Sequence, residues 1–261
     1  MKLSAVVITK NEEGNINRCL QALAFADERI VIDAESTDTT VALAKEAGAN
    51  VYNNPWPGYG PQKNFGLTKA QGEWVLFIDA DEEVSPSLAE EIQQVITTNT
   101  HDFYWLKIVT VFLGTPLTHL FGHNPRLFKK SAGRWSEAHV HEQVEHTDEE
   151  ITIRLNDSHS AKLTHPLLHH SHPTIASYLE SMHQYTTLDA KQMQATHKHR
   201  SGRTVRKTPL LPFLLASRQF MKLLIYRHGF LDGRAGLLWC LMSAYYEWEM
   251  ARKYLKLSLP V

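Results

Sequence analysis

The sequence has little cysteine, with only Cys19 and Cys240 among its 261 residues. They lie far apart and form no Cys-x-x-Cys pair, so neither a disulfide framework nor a thiolate zinc site is predicted, and a reducing compartment fits best.

Long apolar runs are also missing. The segments 210–217 and 235–246 fall short of the ~20 apolar residues that a transmembrane helix needs. The amino-terminal run is too short for a signal peptide. The sequence therefore predicts a cytoplasmic protein that does not span the membrane.

The formal net charge is only −1, but the charges are unevenly distributed. Residues 1–197 carry 15 Lys and Arg against 25 Asp and Glu, whereas residues 198–261 carry 12 against 3. A basic segment that follows an acidic body predicts contact with an anionic partner, either a membrane surface or a nucleic acid. The basic segment has no aromatic stacking pattern and no known nucleic-acid motif, so we expect no nucleic-acid partner.

Strand-like and helical segments alternate over the first part of the chain. β-Branched and aromatic runs predict strands at 3–9, 29–32, 50–52 and 74–78, and apolar spacing predicts helices at 15–25, 36–47 and 85–96. This alternation is typical of an α/β fold with a mostly parallel sheet flanked by helices. Further on, a helix is predicted at 175–196 and a basic linker at 200–208. Two apolar helical segments follow the linker, and residues 229–233 separate them.

Polar side chains follow three of the predicted strands. Residues 9–12, Asp33 and Asp79-Ala80-Asp81 each stand where a strand ends, the place where ligands bind in such sheets. The two carboxylates of Asp79 and Asp81 suit a hard divalent ion such as Mg²⁺ or Mn²⁺, which would neutralise a diphosphate leaving group. The alternative is a solvated acidic turn that Glu82 and Glu83 extend.

Three other features carry a functional and a structural interpretation. Asp33 could read a base or a ribose, while Ser36 to Asp38 cap the next helix. A Gly- and Pro-rich loop at 55–61 precedes a helix from residue 62, so Lys63 either meets phosphate or is a surface lysine. His139 with His141, and the run 169–172, could bind zinc or be ordinary polar residues, and no His-Glu-x-x-His motif is present.

Several motifs together carry a resemblance to a known family. The segments 7–13 (VITKNEE), 32–40 (IDAESTDTT), 62–65 (QKNF) and 77–83 (FIDADEE) resemble the family 2 glycosyltransferases of GT-A fold. The segments 126–128 (RLF), 140–142 (VHE), 167–169 (LLH) and 229–236 (GFLDGRAG) are similar to the bacterial subgroup of lipopolysaccharide core β-1,4-glucosyltransferases. The resemblance runs over nearly the whole chain in the same order. One residue departs from it, because Glu35 stands where the family usually has glycine.

The resemblance implies a GT-A catalytic domain at 1–199 and a basic amphipathic helical extension at 200–261. It implies inversion at the anomeric carbon, with a UDP-sugar as donor, glucose as the expected sugar and Mn²⁺ or Mg²⁺ as cofactor. The acceptor would be a lipid-linked core oligosaccharide. Apart from the resemblance, the basic stretch 203–207 ahead of an apolar helix with Arg218 and Lys222 predicts that the enzyme lies on the cytoplasmic face of the inner membrane. The alternatives are that these apolar residues pack onto the catalytic domain or bury a dimer interface. The site residues implied are Thr9, Asn11, Glu12 and Asp33 at the nucleoside, Lys63 and Asp79 at the nucleotide, Arg126 at the phosphates or acceptor, and Asp81 with His169 at the metal.

Inverting transfer needs a base that removes the proton from the acceptor hydroxyl. Glu142 is the candidate, and Asp157 and His141 are the fallback choices. Two other readings of the site stay open: a sugar nucleotidyltransferase, which would release pyrophosphate, and an assembly protein that has kept the fold without turnover.

Overall fold

The computed structural model describes residues 2–137, 142–147, 152–155 and 157–257. The chain forms two compact units. The first consists of Met1–Val109 and Gly122–His169, and the second of Thr110–Phe121 and His170–Val261. The boundary that the sequence predicts between catalytic domain and extension, at residue 199, is a functional one and stays a prediction.

The described strands form one large sheet and one small one. In chain order they are β1 Leu3–Thr9, β2 Glu28–Asp33, β3 Asn50–Asn53, β4 Trp74–Asp79, β5 Glu82–Val84, β6 Phe103–Phe112, β7 Thr115–Pro116, β8 Gly122–Lys129, β9 Gly133–Trp135, β10 Val144–His146 and β11 Ser160–His172. The large sheet has the order β3-β2-β1-β4-β8-β6-β11-β5, with β7 beside β6, and β9 pairs with β10. Strands β3, β2, β1 and β4 run parallel, whereas β8 is antiparallel to both β4 and β6.

Strand β1 explains how the sheet is held between its helices. Its side chains are all buried, and they alternate between two cores. Leu3, Ala5 and Val7 belong to one apolar cluster, and Val6 and Ile8 belong to the other. Because successive side chains of a strand point to opposite faces, the apolar run at residues 5–8 suits a strand covered on both sides, and the buried Ser4 hydroxyl is satisfied by Glu28 at 2.7 Å. The predicted parallel α/β architecture is therefore present.

Seven α-helices occur among the described residues. They are α1 Ile16–Ala22, α2 Thr40–Glu46, α3 Tyr59–Lys69, α4 Pro86–Thr98, α5 Ile175–Thr196, α6 Leu211–Met221 and α7 Gly233–Lys256. The predicted cap at Ser85 is confirmed, since its hydroxyl accepts the Leu88 N–H at 3.3 Å. Helix α3 begins at Tyr59, three residues earlier than predicted, because Gly58 turns the chain at a φ of 114° and the helix starts directly after it.

The motif at 229–236 has a structural explanation inside the second unit. A short 3-10 turn at Gly229–Asp232 leads into α7. A Cβ on Gly236 would lie 2.1 Å from the Gly229 carbonyl oxygen, so only glycine permits this approach. The Asp232 carboxylate accepts the His119 backbone N–H at 3.1 Å and contacts His119 Nδ1 at 2.8 Å. The motif thus shapes the start of α7 and ties it to the segment 110–121.

The segment predicted as a basic linker is more ordered than expected. Val205 donates its N–H to the His197 carbonyl, and His199 donates to that of Arg203, so the chain folds back in a tight turn. The Glu247 side chain on α7 meets His199 Nε2 at 2.9 Å and Arg200 Nη2 at 2.7 Å. The segment connects α5 and α6 as the predicted linker does, and a long-range ion pair, which local composition does not reveal, also holds it against α7.

Candidate active site

The register of the parallel strands brings three polar strand ends together. Thr9 is the neighbour of Asp33 in the β1–β2 pair, and Ile8 is the neighbour of Asp79 in the β1–β4 pair. The three strands therefore end side by side at one edge of the sheet. The convergence that the sequence predicts is present, and it is where an α/β sheet binds its ligands.

Asp79 is held by a buried network of ion pairs. Arg126 on β8 donates from Nη2 to Asp79 Oδ2 at 2.5 Å and to Glu82 Oε1 at 2.9 Å. Glu82 Oε2 accepts the backbone N–H of Asp79 at 2.9 Å. Burial by itself would raise the pKa of Asp79, but the positive charges of Arg126 and Lys63 hold it well below its ordinary value. Asp79 is thus a carboxylate whose oxygens already face two cations.

Lys63 joins Asp79 to the candidate base. Its Nζ lies 2.5 Å from Glu142 Oε1 and 3.9 Å from Asp79 Oδ1, and its side chain is only 3% exposed. The ammonium also lies 4.4 Å from the ring centre of Trp135, a cation–π contact. The interpretation of Lys63 as a surface lysine is therefore wrong, because α3 turns this face of the helix inward.

Asp81 is paired with the histidine that the resemblance implied. His169 Nε2 on β11 lies 3.0 Å from Asp81 Oδ2. Burial lowers the pKa of His169, but the hydrogen bond to Asp81 and the neighbouring carboxylates raise it overall, to about 9. A carboxylate oxygen and an imidazole nitrogen this close can both turn to one divalent ion. No group of three or more potential His, Cys, Asp or Glu ligands occurs in the part of the chain that the structure describes.

The remaining predicted residues lie around the ends of β1 and β2. Asp33 accepts both the Ser36 N–H at 2.9 Å and the Ser36 hydroxyl at 2.5 Å. Asn11 donates its N–H to the Ser36 hydroxyl at 2.8 Å. Burial and the nearby acidic side chains, Asp81 and Asp79 included, raise the pKa of Glu12. The buried Thr9 hydroxyl has no hydrogen-bond partner among the described residues. Asp33 therefore has a local role in the turn, which the sequence did not suggest.

Comparison with known proteins decides the family. The family model described as Glycosyl transferase family 2 matches residues 4–153, more than half of the chain, and the match includes the ends of β1, β2 and β4. The chain belongs to glycosyl transferase family 2. The prediction that this protein is a glycosyltransferase enzyme is therefore confirmed. The predicted GT-A fold class is confirmed as well, since the sheet is mixed and flanked by helices.

Several relatives of this family 2 glycosyltransferase have been named. A lipopolysaccharide core biosynthesis glycosyltransferase, LpsC of Rhizobium meliloti, is 26% identical over 94% of this chain and 91% of its own. An uncharacterized glycosyltransferase of Rickettsia bellii is 41% identical over 49% of this chain, and the match spans only 42% of that relative. Among solved structures, S. aureus TarS has a TM-score of 0.49 at 16% identity, with 97% of this chain and 55% of that chain covered.

The possible zinc ligands and the fallback bases have different outcomes. His139 and His141 lie outside the described residues, so neither the zinc hypothesis nor the fallback base His141 is addressed by the structure. The run 169–172 forms no metal cluster among the described residues. Asp157, the other fallback base, accepts the Arg154 N–H at 2.6 Å in a local turn.

Two site residues were missed by sequence reasoning. Glu82 was considered only as part of the alternative interpretation, a solvated acidic turn, yet it is 1% exposed and bonded to Arg126. Trp135 was not considered at all, and its ring lies beneath Lys63. The adjacency of Glu82 to Asp81 was the available signal, whereas nothing local marked Trp135, because it approaches from a strand more than seventy residues away.

The one departure from the family pattern also has a structural meaning. Glu35 adopts a φ of 60°, in the left-handed region that glycine favours. The turn after β2 therefore keeps the backbone shape that glycine would supply, and the glutamate bears the conformational cost. The Asn11 N–H donates to the Ser36 hydroxyl at 2.8 Å, which joins this turn to the end of β1.

Proposed function

We propose that this protein is an inverting glycosyltransferase that moves a sugar, with glucose as the expected one, from a UDP-sugar to a lipopolysaccharide core acceptor. The observation that carries the proposal is the paired arrangement at the end of β4. There Asp79 is held by Arg126 and Glu82, while the next carboxylate, Asp81, meets His169. The named relative LpsC, similar over 94% of this chain, supports a core oligosaccharide as the acceptor class.

The residues at Asp81 fit a divalent ion. Its oxygen and the imidazole nitrogen of His169 are 3.0 Å apart and supply two ligands. Mg²⁺ and Mn²⁺ commonly keep several positions for water and for phosphate oxygens, so two protein ligands are compatible with such a site. When bound, the ion would neutralise the diphosphate leaving group. Asp79 is not counted as a ligand here, because Arg126 and Lys63 already face its oxygens.

Glu142 would accept the proton of the acceptor hydroxyl as that oxygen attacks the anomeric carbon and the bond to UDP breaks. Its Oε1 oxygen lies 2.5 Å from Lys63 Nζ. The diphosphate of a UDP-sugar carries two negative charges and would compete for the same ammonium. Binding of the donor would thus draw Lys63 from Glu142 and leave the carboxylate free to act as the base.

The decisive assay measures what the enzyme releases. Purified protein, Mn²⁺ and a panel of UDP-sugars are incubated with core oligosaccharide acceptors, and UDP and pyrophosphate are both measured. UDP release that depends on acceptor supports the proposal. Pyrophosphate release would identify a nucleotidyltransferase instead, and no release with any donor would favour an assembly protein without turnover.

The metal is tested with Asp81→Ala. We expect transfer to be nearly abolished while the thermal unfolding curve is retained, because an uncompensated diphosphate is a poor leaving group. Glu83→Ala is the matched control, since Glu83 lies two residues away and pairs with Arg18 at 3.4 Å. Full activity of the wild-type enzyme in excess EDTA would contradict the metal-assisted reaction.

The second unit supports the proposal of an anionic membrane surface as a partner. Among the described residues, none of the helices combines the length and the hydropathy needed to cross a membrane. Large apolar side chains nevertheless stand exposed along α6 and the turns after it, with Tyr226 exposed by 78%. We call them the apolar ridge: Leu210, Phe213, Leu214, Met221, Ile225, Tyr226, Phe230 and Leu231.

Exposed basic side chains accompany the apolar ridge. Arg218 and Lys222 are four residues apart and both are exposed, as are Arg206 and Lys207 ahead of α6. Apolar side chains with flanking cations are typical of segments that lie in the membrane interface, and each cation near an anionic surface contributes about 1 kcal/mol. Internal packing, one competing interpretation, holds for Leu238 and Trp239, which lie against a buried cluster, whereas the ridge is exposed. A dimer interface is the other competing interpretation of the ridge.

Vesicle flotation tests the membrane proposal. The protein should float with anionic vesicles, should not float with neutral ones, and should detach in high salt. The double variant Arg218→Glu with Lys222→Glu should lose binding. Lys191→Glu, which reverses an exposed charge on α5, is the control and should float like the wild type. Equal failure of the wild type with both vesicle types would contradict the proposal.

A further inference from the structure

Glu82 stands out because it is a buried carboxylate whose two oxygens have separate tasks. Oε2 accepts the backbone N–H of Asp79 at 2.9 Å, and Oε1 accepts Arg126 Nη2 at 2.9 Å. The same Arg126 nitrogen also donates to the Asp79 side chain at 2.5 Å. Glu82 therefore fixes Asp79 twice, directly through its backbone and indirectly through the cation that holds its carboxylate.

The strand that carries Glu82 also reaches the partner of Asp81. Strand β5 is antiparallel to β11, and His169 is the direct neighbour of Glu82 in that pair. His169 Nε2 lies 3.0 Å from Asp81 Oδ2. The position of Glu82 thus links the backbone on both sides of Asp81, with Asp79 on one side and the strand pairing to His169 on the other.

Stability alone does not call for a carboxylate here. Burying an ion pair costs much of what its attraction returns, and apolar side chains of similar volume often serve equally well. Glu82 is bonded both to the Asp79 backbone and to Arg126, so its carboxylate is better explained as a group that holds the turn after β4 in place. Groups that hold metal ligands in place commonly have this arrangement.

We infer that Glu82 is a positioning residue for the metal and diphosphate site, in that it holds Asp79 and Arg126 so that Asp81 and His169 face the same ion. The inference rests on the proposed function, since it assumes that the donor diphosphate binds there with a divalent ion. Glu82 itself does not touch the substrate. Its removal should therefore weaken metal binding more than it slows the chemical step.

The test compares Glu82→Gln with Glu83→Gln, two neighbouring residues with the same chemical change. Binding of Mn²⁺ in the presence of UDP is followed by electron paramagnetic resonance of the free ion, which needs no turnover. We expect Glu82→Gln to weaken Mn²⁺ binding by roughly 10–100-fold, the usual effect of losing a supporting partner. Saturating Mn²⁺ should then restore most of kcat. Glu83→Gln should stay within about twofold of wild type, since its side chain is a third exposed and pairs with Arg18 instead.

Glu82→Asp guards against a folding defect, because it retains the charge and shortens the side chain by one methylene. If Glu82→Gln does not fold, weaker Mn²⁺ binding by Glu82→Asp supports the inference and wild-type binding overturns it. Binding by folded Glu82→Gln within twofold of wild type overturns it as well. A wild-type protein that binds Mn²⁺ with UDP but transfers no sugar would refute the proposed function only, whereas failure to bind Mn²⁺ with UDP would refute both.

Discussion

Replacing Glu247 by glutamine should destabilise the second unit in a way that depends on pH. Glu247 lies on α7, its side chain is 4% exposed, and it contacts His199 Nε2 at 2.9 Å and Arg200 Nη2 at 2.7 Å. Arg200 in turn stacks 4.6 Å from the ring centre of Tyr246, whose hydroxyl donates to Asp189 at 2.7 Å. One carboxylate therefore anchors the turn before α6 to the rest of the unit.

The magnitude follows from what the substitution leaves behind. Breaking a buried ion pair by removing one partner costs about 3–5 kcal/mol when the remaining charge is stranded. Glutamine keeps one acceptor oxygen, and Arg200 is 37% exposed, so its guanidinium regains water. We therefore expect a lower cost, about 2–3 kcal/mol in the free energy of unfolding. In a chain of this size the midpoint of thermal unfolding should fall by roughly 4–10 °C.

The pH dependence gives the sharper test. Burial would raise the pKa of Glu247, but the His199 hydrogen bond and the Arg200 charge lower it below its ordinary value of 4.5. A carboxyl whose pKa is lowered on folding contributes stability above that ordinary value, and the contribution is lost as the pH falls through the folded-state pKa. The difference between wild type and Glu247→Gln should therefore be full at pH 7 and should shrink only below about pH 4.5.

Thermal unfolding followed by circular dichroism at several pH values measures this difference. Glu180→Gln on α5 is the control, since Glu180 is exposed and the same charge is removed. It should change the free energy of unfolding by less than about 0.5 kcal/mol. A Glu247→Gln difference that is equally large at pH 7 and well below pH 4.5, or that grows in acid, would refute the reasoning.

Three further substitutions test the site and the fold. Glu142→Gln should lower kcat by about 10²–10⁴-fold with little change in donor binding, and near-normal kcat would move the base to Asp157. Glu35→Gly should leave stability unchanged or raise it by up to about 1 kcal/mol in urea unfolding, because relief of the left-handed φ of 60° is partly offset by a more flexible unfolded chain. Gly236→Ala should destabilise by more than about 1–3 kcal/mol, since its Cβ would meet the Gly229 carbonyl at 2.1 Å, and an unchanged urea midpoint would contradict that contact.

The parallel part of the fold could be predicted because its signals are local. Strand β1 holds the apolar run at residues 5–8, and the polar residues Thr9, Asp33 and Asp79 are the last residues of β1, β2 and β4. Register in a parallel sheet covered on both sides then places those ends together. The predicted strand ends were confirmed for this reason, while helix bounds shifted by a few residues because caps and glycine turns decide them, as at Gly58.

Arg126 shows what local patterns leave out. The resemblance assigned it to the phosphates or the acceptor, and that role stays a proposal. Its Nη2 group donates hydrogen bonds to Asp79 and Glu82, which stand 47 and 44 residues earlier in the chain. Such a contact depends on β8 lying antiparallel to β4, and nothing in the composition around Arg126 specifies that pairing.

Glu82 and Glu83 are adjacent glutamates whose burial differs in a way that local sequence does not predict. They have identical side chains and follow the same aspartates, yet one is 1% exposed and the other pairs with Arg18 with a third of its side chain exposed. Alternation along a strand separates them, since consecutive side chains point to opposite faces. Which of the two turns inward is decided by the antiparallel pairing of β5 with β11, a contact across more than eighty residues. The pattern of acidic residues therefore indicates a site, while only the long-range register determines which carboxylate supports it.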